Sequence, residues 1–292
     1  MAAQIISGTE TSKKIQAELK DEVAQLLSKG VKPCLATILV GEDEASKVYV
    51  GQKVKTCERL GIISMHNKLP VNVQEPELLN LIDRLNKDKN VHGILCQLPL
   101  PKHINADKIL LAISPDKDVD GFHLLNMGKL LSKKNMKEIE QEGMYLPCTP
   151  HGIIQLLKRS NININGAEAV IVGRSNIVGK PAALLLMAEN ATVTICHSNT
   201  RDIGEVCRRA DILVAAIGKP KFVTADMVKD GVVVIDVGVN RLPEGLCGDV
   251  DFEAIKAKAK AITPVPGGVG PMTIAMLMVN TVKAARKLSG VK

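Results

Sequence analysis

The chain has 292 residues, 46% of them apolar and 24% charged, which is room for two ordinary domains or one large α/β domain with a sizeable core. No apolar run approaches the roughly 18 residues that cross a bilayer, so no membrane association is expected. The formal net charge of +7 invites a nucleic-acid partner, but bases and acids interleave, as in "KKIQAELKDE" (13–22), and aromatic residues for base stacking are only 2%. A solvated basic surface, or an anionic small-molecule substrate, accounts for the charge without nucleic acid.

In chain order, residues 9–28 carry apolar residues at helical spacing, with Thr9 available as a cap. "PCLATILV" (33–40) is a short apolar run of the kind that forms a buried parallel strand. Residues 43–60 are a second helix with Asp43 at its start, and 75–89 a third, with Pro76 suited to a first helical turn. "VHGILCQLPL" (91–100) is another strand. The charged stretch "SKKNMKEIEQEG" (132–143) reads as a surface excursion near a boundary, closed by "PCTP" at 147–150. "AEAVIVG", "ATVTIC", "DILVAAIG" and "GVVVIDVGV" follow between 167 and 239, separated by helix-length segments, the pattern of a nucleotide-binding parallel sheet. "PMTIAMLMVNTVKAARKL" (271–288) is a strongly apolar helix, expected to pack back on the first half with its methionines as core filler.

Seven cysteines, at 34, 57, 96, 148, 196, 207 and 247, stand singly with no CxxC pair. That spacing fits reduced thiols in a cytoplasmic protein better than a disulfide framework or a zinc site, and no metal is expected. The opening "MAAQIISGTETSKKIQ" is neither Arg-rich nor acid-poor enough for a transit peptide.

The stretch richest in chemistry is "VIVGRSNIVGKP" (170–181). Gly173 and Gly179 are six apart, so this is not GxGxxG. A Walker loop needs four residues before its Gly-Lys, where this chain has five, and a Ser or Thr after the lysine, where it has Pro181. What remains is a strand, a turn and a helix start whose free N–H groups favour a pyrophosphate, hence a dinucleotide. NAD-selective sheets place an acid at the end of the next strand; here Cys196, His197 and Ser198 stand there, and Arg174 is free to pair with a 2′-phosphate. NADP is favoured.

In the first half, Tyr49 and Lys53 are four apart and so share one helix face. The same spacing occurs in short-chain dehydrogenases, but there the glycine loop comes first, and an amphipathic helix with a surface lysine accounts for it equally. "LCQLPLP" (95–101), "PDKDVDGFH" (115–123) and the rigid "PVPGGVGPMT" (264–273) add polar groups and close-approach loops suited to a flat ligand.

Taken in order, "YVGQK", "QLPLP", "KDVDGFH", "PCTPHG", "GRSNIVGKP", "CHSNT" and "PVPGGVGPMT" resemble the bifunctional methylenetetrahydrofolate dehydrogenase/cyclohydrolase family over nearly the whole chain. The resemblance implies an α/β protein of two domains with a cleft between them. Residues 1–148, completed by the helix 272–292, would be the folate and catalytic domain, and 149–271 a Rossmann-like NADP domain. It implies NADP-dependent oxidation of methylenetetrahydrofolate, then hydrolysis of the methenyl product to 10-formyltetrahydrofolate. Lys53 is the implied proton-handling residue, with its pKa lowered beside a cationic substrate. Gln97 orients it, Tyr49 stacks on the folate rings, and Asp120 pairs with the amino-pyrimidine edge. Val50, Gly51, Gln52, Cys96 and Leu98 complete the folate side, with Pro266, Gly267, Gly268, Val269 and Gly270 as its loop. Gly173, Arg174 and Ser175 form the implied cofactor turn, Ser198 a 2′-phosphate contact and Val239 a backbone contact near the nicotinamide. Asp116 and Asp118 read as caps or solvated acids. A homodimer is implied by resemblance alone, and the basic charge leaves a preference for polyglutamylated folate open.

Overall fold

Helices and strands alternate along residues 3–243 and 245–291, the part described by a computed structural model. In chain order the first elements are β1 (Gln4–Ile5), α1 (Gly8–Ser28), β2 (Cys34–Val40), α2 (Glu44–Leu60), β3 (Ile63–Leu69), α3 (Glu75–Lys87) and β4 (Gly93–Cys96). Short helices α4 (Ala106–Ala112), α5 (Leu124–Leu131) and α6 (Met136–Glu142) lead to α7 (Cys148–Arg159). Next come β5 (Glu168–Val172), α8 (Gly179–Ala188), β6 (Thr192–Cys196), α9 (Ile203–Arg208), β7 (Ile212–Ala215) and β8 (Val233–Asp236). The chain closes with β9 (Asn240–Leu242), β10 (Gly245–Cys247), α10 (Phe252–Lys256), β11 (Ala261–Ile262) and α11 (Val269–Ser289).

These elements form two compact units, each drawn from several stretches of chain. One comprises Lys14–Lys129, Gly143–Leu146 and Ile274–Lys292; the other comprises Met1–Lys13, Leu130–Glu142 and Pro147–Thr273. The first holds a parallel sheet in the order β3-β2-β4. Every residue of the central β2 is buried, as a strand covered on both faces requires. Its Ala36, Ile38 and Val40 pack with Leu78 and Ile82 of α3 and Ile109 of α4. Each of the Val, Leu and Ile side chains contributes about 1.5–3 kcal/mol on burial, which holds the register. Helix α2 starts on Asp43, whose carboxylate accepts from the Ser46 N–H at 2.7 Å, and ends on Gly61 at φ 76°.

The second unit holds six parallel strands in the order β1-β11-β8-β7-β5-β6. β5 opens the consecutive run, β6 lies on one side of it and β7 on the other, so the chain reverses direction across the sheet between β5 and β7. In open α/β sheets ligands bind at the carboxyl ends of the strands flanking such a reversal. Val170, Val172, Leu213, Ala215 and Val234 form the buried core of this sheet.

Several expectations need correcting. Thr9 does not cap α1: Ser7 does, its hydroxyl accepting from the Glu10 N–H, while Thr9 N donates to the Gly267 carbonyl at 3.0 Å. The 132–143 stretch is no mere surface excursion, because within it α6 buries Met136 and Ile139. The 91–100 strand is shorter than its apolar run: β4 ends at Cys96, and Leu98–Pro99 is a cis peptide. β1, β3, β9, β10 and β11 were not anticipated.

Candidate active site

In the three-stranded unit, helix α2 carries Tyr49 and Lys53, and the end of β4 carries Cys96 and Gln97. Lys53 is only 7% exposed, and its Nζ donates to Gln97 Oε1 at 2.8 Å. The Gln97 side chain is in turn fixed by its Nε2 donating to the Leu98 carbonyl at 2.7 Å, which turns its oxygen toward the lysine. Its backbone N–H donates to the Ile38 carbonyl, continuing the β2–β4 ladder. Tyr49 is half-buried, and burial raises its phenol above the ordinary range, so it is neutral. Val50 is buried, Gly51 partly so, and Gln52 faces outward.

Asp120 lies in a loop built by its neighbours. The buried Asp118 carboxylate accepts from the N–H groups of Gly121, Phe122 and His123 and from Asn126 Nδ2. From α11, the buried Asn280 Nδ2 donates to the Val119 carbonyl at 2.8 Å. Lys117 Nζ donates to the carbonyls of Leu85 and Asp88, at the end of α3. Of the two neighbouring acids, Asp118 is thus a buried cap, while Asp116 is exposed and paired with Lys287. The Cys96 thiol is pushed up to about 12 by burial and by the nearby Asp120 charge, so it is an inert neutral group. Lys53 and Gln97 are therefore brought together from 44 residues apart, and Cys96 lies within the electrostatic reach of Asp120.

In the six-stranded unit, a cavity of about 450 Å³ opens at the carboxyl ends of β5, β6 and β7. Gly173, Arg174, Ser175 and Ser198 all line it. Gly173 has φ 130°, and a Cβ on it would fall on the Ala216 carbonyl, so only glycine lets the two strand ends approach here. Ser175 Oγ accepts from the N–H groups of Val178 and Gly179 at 3.1 and 3.3 Å, tying the turn to the start of α8. His197 Nδ1 accepts from the Asn199 N–H, and the His197 N–H donates to Thr200 Oγ1. Among the described residues, the lining includes the cations Arg174 and Lys219 and no acid. Val239, 48% exposed beyond β8, is not part of this lining.

Thr200, Ile203, Ala216, Ile217, Lys219 and Phe222 also line the cavity and were not singled out beforehand. A signal for some of them was present: "AIGKP" ends an apolar run as "IVGRS" does. The Pro266–Gly270 stretch belongs to this same unit and joins the start of α11, with a cis Val265–Pro266 bond and the Gly267 carbonyl holding Thr9. No group of three or more His, Cys, Asp or Glu among the described residues could hold a metal ion, and no described helix is long and apolar enough to cross a membrane.

Comparison with known proteins covers both units. Residues 6–120 match the family description "Tetrahydrofolate dehydrogenase/cyclohydrolase, catalytic domain", and residues 147–289 match its "NAD(P)-binding domain". The "Bifunctional protein FolD" of Agathobacter rectalis is 58% identical over 98% of this chain and 100% of its own length. The solved structure of the bifunctional FolD methylenetetrahydrofolate dehydrogenase/cyclohydrolase from Campylobacter jejuni has a TM-score of 0.92 at 50% identity, covering 98% of this chain and 99% of its own. A Trypanosoma brucei methylenetetrahydrofolate dehydrogenase-cyclohydrolase, solved with NADP cofactor and inhibitor, has a TM-score of 0.92 at 38% identity, with all of both chains covered. With its catalytic and NAD(P)-binding portions both matched, the chain belongs to the tetrahydrofolate dehydrogenase/cyclohydrolase family.

Proposed function

We propose that this protein is a bifunctional folate enzyme. It oxidises 5,10-methylenetetrahydrofolate to the 5,10-methenyl form with NADP, and it hydrolyses the methenyl form to 10-formyltetrahydrofolate. The observation that carries this reading is the buried Lys53 side chain held by Gln97 at 2.8 Å.

The cyclohydrolase role follows from that geometry. The Lys53 amine, held in place by Gln97, is a group able to handle a proton as water adds to a positively charged amidinium carbon. Water supplies the new oxygen, one C–N bond breaks, and a proton leaves with solvent. Gln97 positions Lys53. Tyr49, neutral and half-buried, offers a ring face to a flat pterin, and Asp120 offers two acceptors to its amino-pyrimidine edge. Val50, Gly51, Gln52, Cys96 and Leu98 complete that surface. The folate portion comprises 1–148 with 272–292 and the cofactor portion 149–271, except that residues 1–13 and 130–142 pack within the unit of the cofactor portion.

NADP fits the residues present. The cavity lies where the sheet reverses, Gly173 leaves space for close backbone approach, and Arg174 and Ser198 both line it, a cation and a hydroxyl of the kind a 2′-phosphate takes. The absence of an acid in the described lining favours NADP over NAD. When bound, NADP supplies a hydride acceptor. This chain needs no acid or base for that transfer, only alignment, in which Val239 contributes backbone. A homodimer in the cytoplasm acting on tetrahydrofolate derivatives, polyglutamylated forms included, belongs to the same reading.

The test is purified protein with methylenetetrahydrofolate and NADP or NAD, following reduced cofactor and methenyl absorbance, with methenyltetrahydrofolate supplied separately for the hydrolysis. Turnover with NADP and hydrolysis of the methenyl form are expected. Folate binding with neither product would make this a non-catalytic folate protein. NADP-dependent activity confined to other substrates would make it a different oxidoreductase.

A further inference from the structure

Two acids that play no part in the chemistry above lie buried beneath the cofactor cavity. Asp236, at the end of β8, is 3% exposed and Asp249 is fully buried. Asp236 Oδ1 accepts from the N–H groups of Gly238 and Asp249 at 3.0 and 2.9 Å, and its Oδ2 accepts from Val250 N–H at 3.0 Å. Its own N–H donates to Thr263 Oγ1, beyond β11. Asp249 carries the chain of contacts onward: its Oδ2 accepts from the N–H groups of Ile217 and Gly218 at 2.7 and 2.9 Å, and its Oδ1 from Asn240 Nδ2 at 2.9 Å. Gly238 and Gly248 press so closely on these two carboxylates that a Cβ on either would overlap them. Two carboxylates, several N–H donors and two side-chain-free approaches make a built arrangement. Its output is the backbone at 216–218, where Ala216 and Ile217 line the cavity.

We propose that Asp236 and Asp249 act as a positioning pair for the cofactor wall, Asp249 holding the 217–218 backbone and Asp236 holding Asp249. This rests on the assignment of that cavity to NADP. A buried carboxylate accepting two adjacent N–H groups fixes that peptide far more firmly than a loop fixes itself, because releasing it leaves both donors unsatisfied. Hydrolysis of methenyltetrahydrofolate uses none of these residues.

The test measures the NADP dissociation constant by calorimetry and the KM for NADP in Asp249→Ala and Asp249→Asn, with cyclohydrolase activity on supplied methenyltetrahydrofolate as the internal comparison. Asp249→Ala is expected to weaken NADP about tenfold or more in both measures, with hydrolysis within about twofold of wild type. Asp249→Asn is expected to recover most of the affinity. Its amide oxygen still accepts from Ile217 and Gly218, and Asn240 can turn its amide to meet the new NH₂. NADP affinity unchanged in Asp249→Ala, hydrolysis lost in parallel, or no recovery in Asp249→Asn would each overturn the proposal. If Asp249→Ala fails to fold, Asn240→Ala, which removes one donor only, should weaken NADP about threefold, and unchanged affinity there overturns the proposal equally. Wild-type protein that neither binds nor uses NADP would instead overturn the cofactor assignment and this inference with it.

Discussion

Replacing Asp236 with asparagine removes a titrating group from the interior of the six-stranded unit, and the consequence should be visible as a change in how stability depends on pH. Burial pushes the Asp236 carboxyl up to about 7 from an ordinary 3.8, assisted by the Asp249 charge and only partly offset by the N–H groups it accepts from. The folded protein therefore keeps a proton on Asp236 through a window in which the unfolded chain has released it. Stability contributed by this group is complete below about pH 4, falls as pH rises toward about 7, and is level above that. Each tenfold change in proton concentration is worth about 1.4 kcal/mol, so the window from 3.8 to about 7 amounts to about 4 kcal/mol. Asparagine does not titrate. Its NH₂ meets N–H donors and so shifts stability by an amount that pH does not alter. Urea unfolding of wild type and Asp236→Asn, followed by circular dichroism between about pH 4 and about pH 8, should give a wild-type advantage that shrinks by about 4 kcal/mol. A difference that stays constant, or that grows with pH, refutes the reasoning.

Lys53→Met is expected to lower methenyltetrahydrofolate hydrolysis by about 10²–10⁴-fold, read as loss of methenyl absorbance; a rate above half of wild type would exclude Lys53 as the proton-handling group. Arg174→Ala should reduce the kcat/KM preference for NADP over NAD by about 10–100-fold, since a charge-assisted contact to phosphate is lost while the dinucleotide site remains. Gly173→Ala places a methyl on the Ala216 carbonyl at a φ unsuited to alanine. It should cost about 1–3 kcal/mol in unfolding experiments and weaken NADP in titration calorimetry.

The strands with a continuous apolar run, β2, β5, β7 and β8, were legible because burial on both faces demands such runs. β3 was not, for its "ISMHNKL" forms a sheet edge with half-exposed residues and carries polar side chains that tertiary pairing tolerates. β1 and β11 are two residues each, below the length at which any periodicity is defined. On the site, the resemblance named Gln97 as the residue that orients Lys53, and the fold adds the contact itself, a 2.8 Å hydrogen bond across 44 residues. Asp236 and Asp249 escaped notice because the donors to their carboxylates lie 2, 9, 13, 14, 31 and 32 residues away, at no repeating interval. Lys219 escaped because the "AIGKP" signal, though present, points to no site until β7 is seen to end at the cavity.

The two-residue strand at the start of the chain has a practical consequence. Gln4 N donates to the Lys260 carbonyl and Ile6 N to the Ile262 carbonyl, so residues before α1 close the outer edge of a sheet whose other strands come from 168–262. The dinucleotide portion is thus not a self-sufficient interval of sequence. Cut out as 147–273, it would present β11 as a raw edge, with unpaired backbone groups and the apolar surface that Ala3 now covers, open to pairing with another copy. Circular joining of the first few residues to such a fragment, rather than trimming at the nearest loop, is what would keep it monomeric.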